Sequence, residues 1–318
     1  MRTGPRRPKA AKSRTPSAAR ATVRDLLELA ADAFDRAELS YGHGTSNALE
    51  EASWLILHSL GLPLTDLERH LDDPVTATAE KAIHALVEKR IRTRKPAAYL
   101  LHEAWLGPHR FYVDERVIVP RSFIAELLRG QTTCPAGKNA QDPLNVLARG
   151  TSGLSPVSIL DLCTGSGCLA ILAALRFPEA RVDAADLSRD ALAVARRNVD
   201  DYKLADRIRL VESDLFSALG GCRYDLIISN PPYVKASSMR KLPEEYRNEP
   251  QMALASGADG LEHTRVMLAE AREHLNPGGL LVVEIGHNRK ALEKAFPTLP
   301  FKWPKTSAGA GYVFTLGV

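Results

Sequence analysis

The first third of the chain carries apolar residues at steps of three and four, the repeat of helices that pack on one face. The first repeat begins at Val23 and continues through Leu26, Leu27, Ala30, Ala33 and Phe34. A second helix is predicted from an N-cap at Ser46 to a stop at Gly61, and a short third one opens at Pro63-Leu64. A fourth helix is predicted from Thr78 to about Arg92. We therefore expect residues 22–95 to form a small helical domain.

Residues 96–129 change to short apolar runs separated by turn residues. Gly107-Pro108 lies between two of these runs and predicts a β-hairpin. Ser122 is a predicted N-cap for a helix that ends near Arg129. Residues 130–156 are rich in Gly, Pro and polar residues, and they predict a loop that is long for a compact domain.

In the second half, short apolar runs alternate with helical repeats. The predicted strands are residues 157–162, 181–186, 208–212, 225–229 and 279–285, and the predicted helices are residues 168–177, 189–200 and 261–275. Residues 301–302 and 312–316 predict a closing antiparallel hairpin. This alternation indicates an α/β fold with a doubly wound, largely parallel sheet over residues 157–318. Such sheets bind ligands at the carboxyl ends of their strands.

Charge changes this picture mainly at the amino terminus. The chain has 318 residues and a net charge of +4, but residues 1–24 hold eight Arg or Lys and no acid, which leaves −4 for the remainder. Residues 1–21 predict a disordered basic tail. An inert extension, a weak electrostatic attraction to RNA and an organelle transit peptide all remain open for it. From Asp25 to Lys95, 13 acidic and 8 basic residues suit a basic protein partner better than DNA.

The remaining composition excludes several classes of protein. No apolar stretch is long enough to span a bilayer, and none near the start has the pattern of a secretory signal. The cysteines form no C-x-x-C pair, so neither a zinc site nor a disulfide framework is indicated. A reducing cytoplasm is the simplest setting, and the sequence leaves the oligomeric state open.

Candidate chemistry follows the strand at residues 225–229, where the chain continues Asn230-Pro231-Pro232-Tyr233. The two prolines end the strand and remove two backbone N–H donors. The Asn230 side-chain oxygen and the Pro231 carbonyl are then neighbouring acceptors without a local donor. They suit a planar NH₂ group, with the Tyr233 ring on its face. The same residues also suit a proline-rich turn with no chemical role.

A glycine turn follows the strand at residues 157–162, where Asp161 to Cys168 read D-L-C-T-G-S-G-C. Glycine at positions 165 and 167 lets the backbone turn tightly and approach a ligand. Asp186 ends the next strand, where its carboxylate can bind both hydroxyls of a ribose. The spacing also matches the dinucleotide fingerprint, with Ala170 last, so the turn alone does not identify the nucleotide.

Two further acids favour a cationic adenosyl ligand over a dinucleotide. Asp161 lies inside its strand, where its negative carboxylate would lie opposite the negative charge of a pyrophosphate. The same carboxylate could hold a positively charged ammonium group. Asp214 follows the third strand and can accept a hydrogen bond from an adenine amino group, with Leu215 against the ring. The alternative for Asp214 is a helix N-cap.

With these motifs the chain resembles the class I S-adenosylmethionine-dependent methyltransferases that act on planar nitrogen. The run V-D-E-R-V-I-V-P-R-S at residues 113–122 further resembles the protein-glutamine N5-methyltransferases. Residues 242–250, 255–261 and 295–297 resemble the branch that modifies a ribosomal protein more than the branch that modifies release factors. The resemblance covers about residues 23–318. Phe123, where the family tends to have proline, and the loop at residues 130–156 depart from it.

The resemblance implies a Rossmann-like sheet, S-adenosylmethionine as cofactor and a glutamine of the third large-subunit ribosomal protein as the target. It implies catalytic roles for Asn230, Pro231, Pro232 and Tyr233. The implied cofactor contacts are Asp161, Cys163, Thr164, Gly165, Ser166, Gly167, Asp186, Asp214, Leu215 and Asn230. The helical domain would present the substrate, and Arg121 would lie at the rim of the active site or in an ordinary surface salt bridge. We expect no metal, no membrane contact and no specific nucleic-acid binding.

Three alternatives stay open at this stage. Peptide-chain release factors are the nearest alternative substrate. Adenine in nucleic acid is a more distant one, which the acidic body of the protein disfavours. A nucleotide-binding module with an inactive site would require Asn230 and Pro231 to be accidental.

Overall fold

The computed structural model describes residues 20–129 and 156–317. Apart from their last residues, the predicted tail at residues 1–21 and the predicted loop at residues 130–156 lie outside the described residues. The helical segments of the first part are α1 (Val23–Arg36), α2 (Ala48–Leu60), a 3₁₀ turn (Leu64–Asp66), α3 (Leu67–His70), α4 (Ala77–Thr93) and α5 (Ala97–Leu101). A shared core of Leu26, Phe34, Leu55, Ile83 and other buried apolar side chains packs them together.

Capping side chains set where these helices begin, and two predicted starts are corrected. The N-cap of α2 is Asn47 rather than Ser46, because the Asn47 side chain accepts a 2.9 Å bond from Glu50 N. Helix α4 begins at Ala77 rather than Thr78, because the Thr76 hydroxyl caps it. Helix α5 has no counterpart in the prediction.

The predicted hairpin and the helix after it are both present. Strands β1 (Ala104–Leu106) and β2 (His109–Phe111) pair antiparallel across a turn at Gly107, whose φ is +64°. Helix α6 (Ile124–Arg129) follows, and the Ser122 hydroxyl accepts from Ile124 N at 3.2 Å.

The second part is an α/β sheet with helices between its strands. Its elements in chain order are β3 (Ser158–Leu162), α7 (Cys168–Arg176), β4 (Arg181–Asp186), α8 (Arg189–Asp201), β5 (Ile208–Glu212), β6 (Tyr224–Ser229), α9 (Ala236–Met239), two 3₁₀ turns (Glu244–Asn248 and Gln251–Ala253), α10 (Glu262–His274), β7 (Leu275–Glu284), α11 (Arg289–Ala295), β8 (Lys305–Thr306), β9 (Gly309–Ala310) and β10 (Val313–Gly317). The six-stranded sheet has the order β10-β7-β6-β3-β4-β5, with β10 antiparallel to β7 and the other pairs parallel. This confirms the predicted doubly wound sheet.

Two predicted strands differ in detail from those observed. Strand β7 begins at Leu275, before the predicted Gly279, and its pairing with β6 shifts register between Tyr224 and Leu226. The predicted strand at residues 301–302 is a single bridge between Lys302 and Thr315. Prolines at positions 300 and 304 flank it and lack the N–H donors that a longer ladder needs. The antiparallel closure of the sheet comes instead from β10 along β7.

Apolar side chains cover both faces of the sheet. One cluster includes Ile159, Ile171 and Ile228 with Leu127 of α6, and the other includes Leu160, Ile227, Leu281 and Phe314. The core of the helical part reaches Ala191 and Val194 of α8, so the two parts are packed against each other. In the part of the chain that the structure describes, no helix combines the length and the apolar composition needed to cross a membrane.

Candidate active site

The glycine turn between β3 and α7 is fixed by two acids. Cys163, Gly165 and Gly167 all have positive φ, at +58°, +55° and +80°. The Thr164 hydroxyl donates to Asp161 Oδ2 at 2.6 Å, and Gly165 N donates to Asp186 Oδ2 at 2.8 Å. A Cβ atom at Gly167 would also lie 3.2 Å from that of Ala195 in α8, so both dihedral preference and space favour glycine there.

A first cleft lies beside this turn, at the carboxyl ends of the parallel strands. Seven of the predicted site residues line it: Cys163, Gly165, Asp186, Asp214, Leu215, Asn230 and Pro232. Residues 116–118 and 252–253, to which the sequence gave no cofactor role, also line it. Arg116 pairs with Asp114, with its Nη2 atom 2.6 Å from Asp114 Oδ2. The lining of the first cleft therefore includes two acids, Asp186 and Asp214, and several apolar side chains.

The other predicted cofactor residues shape the turn and do not line the cleft. Asp161 is fully buried behind it, and its Oδ2 also accepts from Ala170 N at 3.0 Å. Its Oδ1 has no hydrogen-bond partner among the described residues. Burial raises the pKa of Asp161 to about 7, although the bonds from Thr164 and Ala170 oppose the shift. Ser166 is buried, and its carbonyl accepts from the Asn198 side chain of α8 at 2.8 Å.

Asp214 and Leu215 lie in a turn rather than at the start of a helix. Leu215 has a φ of +47°, and Ser217 N donates to the carbonyl of Asp214 at 3.0 Å. Residues 214–218 form turns and no helix follows them directly. The alternative of a helix N-cap at Asp214 is therefore wrong, and both side chains reach the first cleft.

A second cleft lies on the other side of Asn230. Pro231 and Tyr233 line it together with Arg121, Phe123 and Glu284. The Tyr233 ring packs against Gly286, where an added Cβ atom would lie 2.8 Å from the ring. Among the residues that the structure describes, three line both clefts: Asn230, Ile118 and Ala253. They mark the place where the two clefts meet.

The side-chain amide of Asn230 has a hydrogen-bonded nitrogen and an oxygen without a partner. Its Nδ2 donates to the main-chain carbonyl of Arg121 at 3.2 Å, an acceptor that fixes which end of the amide faces it. Its Oδ1 is buried and has no hydrogen-bond partner among the described residues. The structure therefore directs a free acceptor to the boundary between the clefts.

Arg121 forms a salt bridge with a buried partner, unlike the ordinary surface salt bridge that the sequence left open. Its two terminal nitrogens each lie 2.6 Å from an oxygen of Glu249, whose side chain is fully buried. Although burial opposes both charges, the hydrogen bonds between the two groups raise the pKa of Arg121 and lower that of Glu249 to about 2. The sequence indicated Arg121 but gave no role to Glu249.

Glu284 is a further buried acid that the sequence reasoning missed. It ends β7, whose Val283 pairs with Ser229, so its side chain lies beside the Asn230 loop. Its Oε2 accepts from the Ser122 hydroxyl at 2.7 Å and from Phe123 N at 2.9 Å. Burial raises its pKa to about 7. The available signal was a lone carboxylate at the carboxyl end of an apolar strand.

Family comparisons agree with this architecture in both parts of the chain. A family model of the methyltransferase small domain matches residues 146–259, and one of the PrmC N-terminal domain matches residues 25–101. The strand order and the clefts at the carboxyl ends complete the description of a class I methyltransferase with a Rossmann-like sheet. This confirms the fold class expected from the sequence.

Curated relatives extend the similarity to nearly the whole chain. The ribosomal protein uL3 glutamine methyltransferase of Neisseria meningitidis serogroup B is 52% identical over 93% of this chain and 92% of its own. Proteins of the same name are 52% identical in Burkholderia pseudomallei, over 93% and 94%, and 45% identical in Bradyrhizobium diazoefficiens, over 92% and 89%. The chain belongs to the family of ribosomal protein uL3 glutamine methyltransferases, and it is a protein-glutamine N5-methyltransferase.

Proposed function

We propose that this protein transfers a methyl group from S-adenosylmethionine to the side-chain amide nitrogen of a glutamine in ribosomal protein uL3. The names of its relatives support both the reaction and the substrate. The observation that carries the proposal is the Oδ1 atom of Asn230, which is buried without a partner among the described residues where two clefts meet. A buried acceptor left unpaired costs free energy, so its presence indicates a donor brought by a ligand.

The first cleft suits S-adenosylmethionine by its chemistry. Asp186 would accept from the ribose hydroxyls and Asp214 from the adenine amino group, while Leu215 packs on the ring. The Cys163 to Gly165 backbone would approach the ligand closely. Asp161 is buried just behind this turn with a free Oδ1, so its negative charge would favour a cationic ligand over a pyrophosphate.

The second cleft would hold the target amide. When bound, S-adenosylmethionine supplies a methyl group on a positively charged sulfur, which is already a good leaving group. Asn230 Oδ1 and the Pro231 carbonyl would accept hydrogen bonds from the two N–H groups of the glutamine side chain. The Tyr233 ring, supported by Gly286, would pack on the flat face of that amide.

Placement and charge stabilisation are the contributions we assign to these residues. An amide nitrogen is a poor nucleophile because its lone pair is delocalised, so holding it in line contributes much of the rate. The two acceptors bind more strongly as positive charge develops on the nitrogen, which lowers the energy of the transition state relative to the ground state. The motif contains no base, and the proton can leave after transfer, once the nitrogen has become acidic.

Substrate selection is assigned to the acidic helical part at residues 22–95, which suits a basic protein partner. A release factor is the alternative substrate that the sequence resemblance left open.

The test is methyl transfer from labelled S-adenosylmethionine to purified uL3, a release factor and DNA, offered separately. We expect label on uL3, and mass spectrometry should locate one added methyl group on a glutamine. A uL3 variant with that glutamine changed to glutamate should take no label. Label on the release factor alone would move the assignment to that substrate, and label on DNA would reject a protein target.

A further inference from the structure

The orientation of Asn230 depends on a main-chain atom of another segment. Its Nδ2 donates to the carbonyl of Arg121, which is 109 positions away in the chain. A main-chain carbonyl cannot be removed by substitution, so its position depends on what holds the Arg121 segment in place.

Glu249 holds that segment at several points. Its carboxylate accepts from both terminal nitrogens of Arg121 and, through Oε1, from Val119 N at 3.0 Å. It therefore binds the residue that carries the critical carbonyl and the chain two positions before it. His43 Nε2 of the helical part lies 3.6 Å from its other oxygen. All of these contacts are buried or half-buried, so little solvent competes for them.

The loop that carries Glu249 is anchored separately from this contact. The Glu245 Oε1 atom accepts from Ser40 N at 3.1 Å and from Arg94 Nη1 at 3.2 Å, which ties the loop to the helical part. Ala253, further along the same loop, lines both clefts. The loop therefore gives Glu249 a fixed support from which to hold Arg121.

We propose that Glu249 is a positioning residue for the transfer reaction: it fixes Arg121, whose carbonyl then orients the Asn230 amide so that Oδ1 faces the target nitrogen. This inference rests on the proposed function of Asn230. Glu284 holds the next two residues, Ser122 and Phe123, so loss of the Glu249 carboxylate should displace the Arg121 carbonyl without releasing the whole segment.

The test compares Glu249→Gln with wild type in single-turnover methylation of uL3, in both the native and the Asn230→Ala backgrounds. Glutamine keeps the size but presents an NH₂ group to one guanidinium nitrogen, so the pair cannot form as before. We expect the transfer rate to fall by about 10- to 100-fold, the scale of a misplacement near 1 Å, with S-adenosylmethionine affinity unchanged. In the Asn230→Ala background the same change should alter the rate by no more than about twofold, because the two residues act as one unit.

Glu103→Gln is the matched control, because Glu103 is a buried acid that accepts from Trp54, Trp105 and Arg110 and lines neither cleft. It should lower thermal stability without lowering the transfer rate. If Glu249→Gln does not fold, Arg121→Lys removes the same two-point contact and takes its place. An unchanged rate, or an equal loss in both Asn230 backgrounds, would overturn the positioning role.

An NMR measurement that needs no uL3 tests the positioning role independently of the proposed function. The side-chain NH₂ signals of Asn230, assigned by NMR in nitrogen-labelled protein, should shift in Glu249→Gln and stay fixed in Glu103→Gln. If wild type methylates no uL3 but the signals shift, the proposed substrate fails while the positioning contact stands. If wild type is active and the signals do not move, the positioning role fails.

Discussion

The two clefts meet at Asn230 but are assembled in opposite ways. The hydrogen bonds that shape the first cleft join residues close in sequence: Thr164 and Asp161 are 3 positions apart, and Gly165 and Asp186 are 21 apart. The bonds that shape the second cleft span much longer distances, 128 positions from Arg121 to Glu249 and 161 from Phe123 to Glu284. The glycine turn of the first cleft is therefore held by contacts of short range in the chain, whereas the second cleft is held by contacts between distant segments.

This difference separates the two tasks of the enzyme. The predicted cofactor residues of the first cleft lie mostly in turns at strand ends, where sheets of this kind bind their ligands. The distant cleft depends on buried carboxyl groups that bring separate segments against the Asn230 loop. We therefore expect single substitutions to impair either cofactor binding or methyl transfer, with little effect on the other.

The largest expected effect is that of Asn230→Ala on transfer. The change removes one of the two proposed acceptors for the target NH₂ and leaves the rest of the first cleft in place. We expect turnover to fall by about 100- to 1000-fold, by analogy with the loss of a single oxyanion-hole donor. Affinity for S-adenosylmethionine should change by less than about 1 kcal/mol, the scale of one net hydrogen bond. Single-turnover kinetics and cofactor titration measure the two effects separately.

Asn230→Asp sharpens this test. The variant keeps the shape but replaces the Nδ2 donor with an oxygen facing the Arg121 carbonyl, and it adds a negative charge near the cationic cofactor. Binding should hold or improve while turnover falls. If Asn230→Ala turns over at nearly the wild-type rate, the NH₂-binding mechanism is wrong and the prolines merely end a strand.

Asp186→Ala should have the opposite effect, because it should weaken cofactor binding more than methyl transfer. The loss of the proposed charge-assisted bonds to the ribose, together with the loss of the bonds that Asp186 accepts from Gly165 N and Ser188 N, should weaken S-adenosylmethionine binding by about 1–3 kcal/mol, with a smaller effect on turnover at saturating cofactor. Asp183→Ala is the matched control on the same strand, because Asp183 pairs with Arg209 and accepts from the Tyr224 hydroxyl rather than lining the cleft. Calorimetric titration of both variants measures the difference. Equal weakening in the two would place the effect in the strand rather than at the ribose.

The same contrast explains how much the sequence could predict. The succession of strands and helices follows from the alternating periodicities, and Gly165, Asp186 and Asp214 lie at or just after strand ends, so part of the first cleft could be outlined from the chain alone. The observed helix starts differ from the predicted ones where two neighbouring side chains can both cap the helix. Ser46 was predicted as the N-cap of α2, but Asn47 caps it. The predicted roles of the site residues remain proposals that the substitutions above test.

The second cleft could not be predicted from the sequence in this way. Nothing local in the sequence pairs Glu249 with Arg121, because their contact depends on how the loop packs between the helical part and the sheet. Glu284 could be placed at the end of a strand, but its neighbour Asn230 is set by the pairing of β7 with β6. Tertiary pairing, rather than local propensity, carries this information.

Glu284→Gln tests whether a protonated carboxyl stabilises the second cleft. The pKa of Glu284 is raised from 4.5 to about 7, so the folded state retains a proton that the unfolded chain releases. Its contribution to stability is full below about pH 4.5 and is lost as the pH rises through about 7. Urea unfolding across this range should show a shallower decline in the free energy of unfolding for the variant than for wild type.

The titration of Glu249 should change the free energy of unfolding with pH in the opposite direction. Its pKa is lowered from 4.5 to about 2, so its contribution is present above about pH 4.5 and is lost as the pH falls toward 2. Glu249→Gln should therefore reduce the loss of stability in acid and leave the decline toward pH 7 unchanged. Parallel curves for wild type and Glu284→Gln would show that Glu284 is not protonated in the folded state.

The smallest expected effect is a proton released when the first cleft binds its ligand. Asp161 has a pKa raised to about 7, so near that pH about half of the molecules hold its proton. A cationic ligand nearby favours the charged form and lowers that pKa, which should release up to about half a proton per molecule bound. Titration calorimetry in two buffers of different ionisation enthalpy measures this release, and the release should diminish above pH 8, where Asp161 is already ionised. Asp161→Asn keeps the size of the side chain and cannot titrate, so the release should be smaller in this variant by that amount. An equal release in the variant would show that the proton comes from another group, and that Asp161 serves only to hold the Thr164 turn.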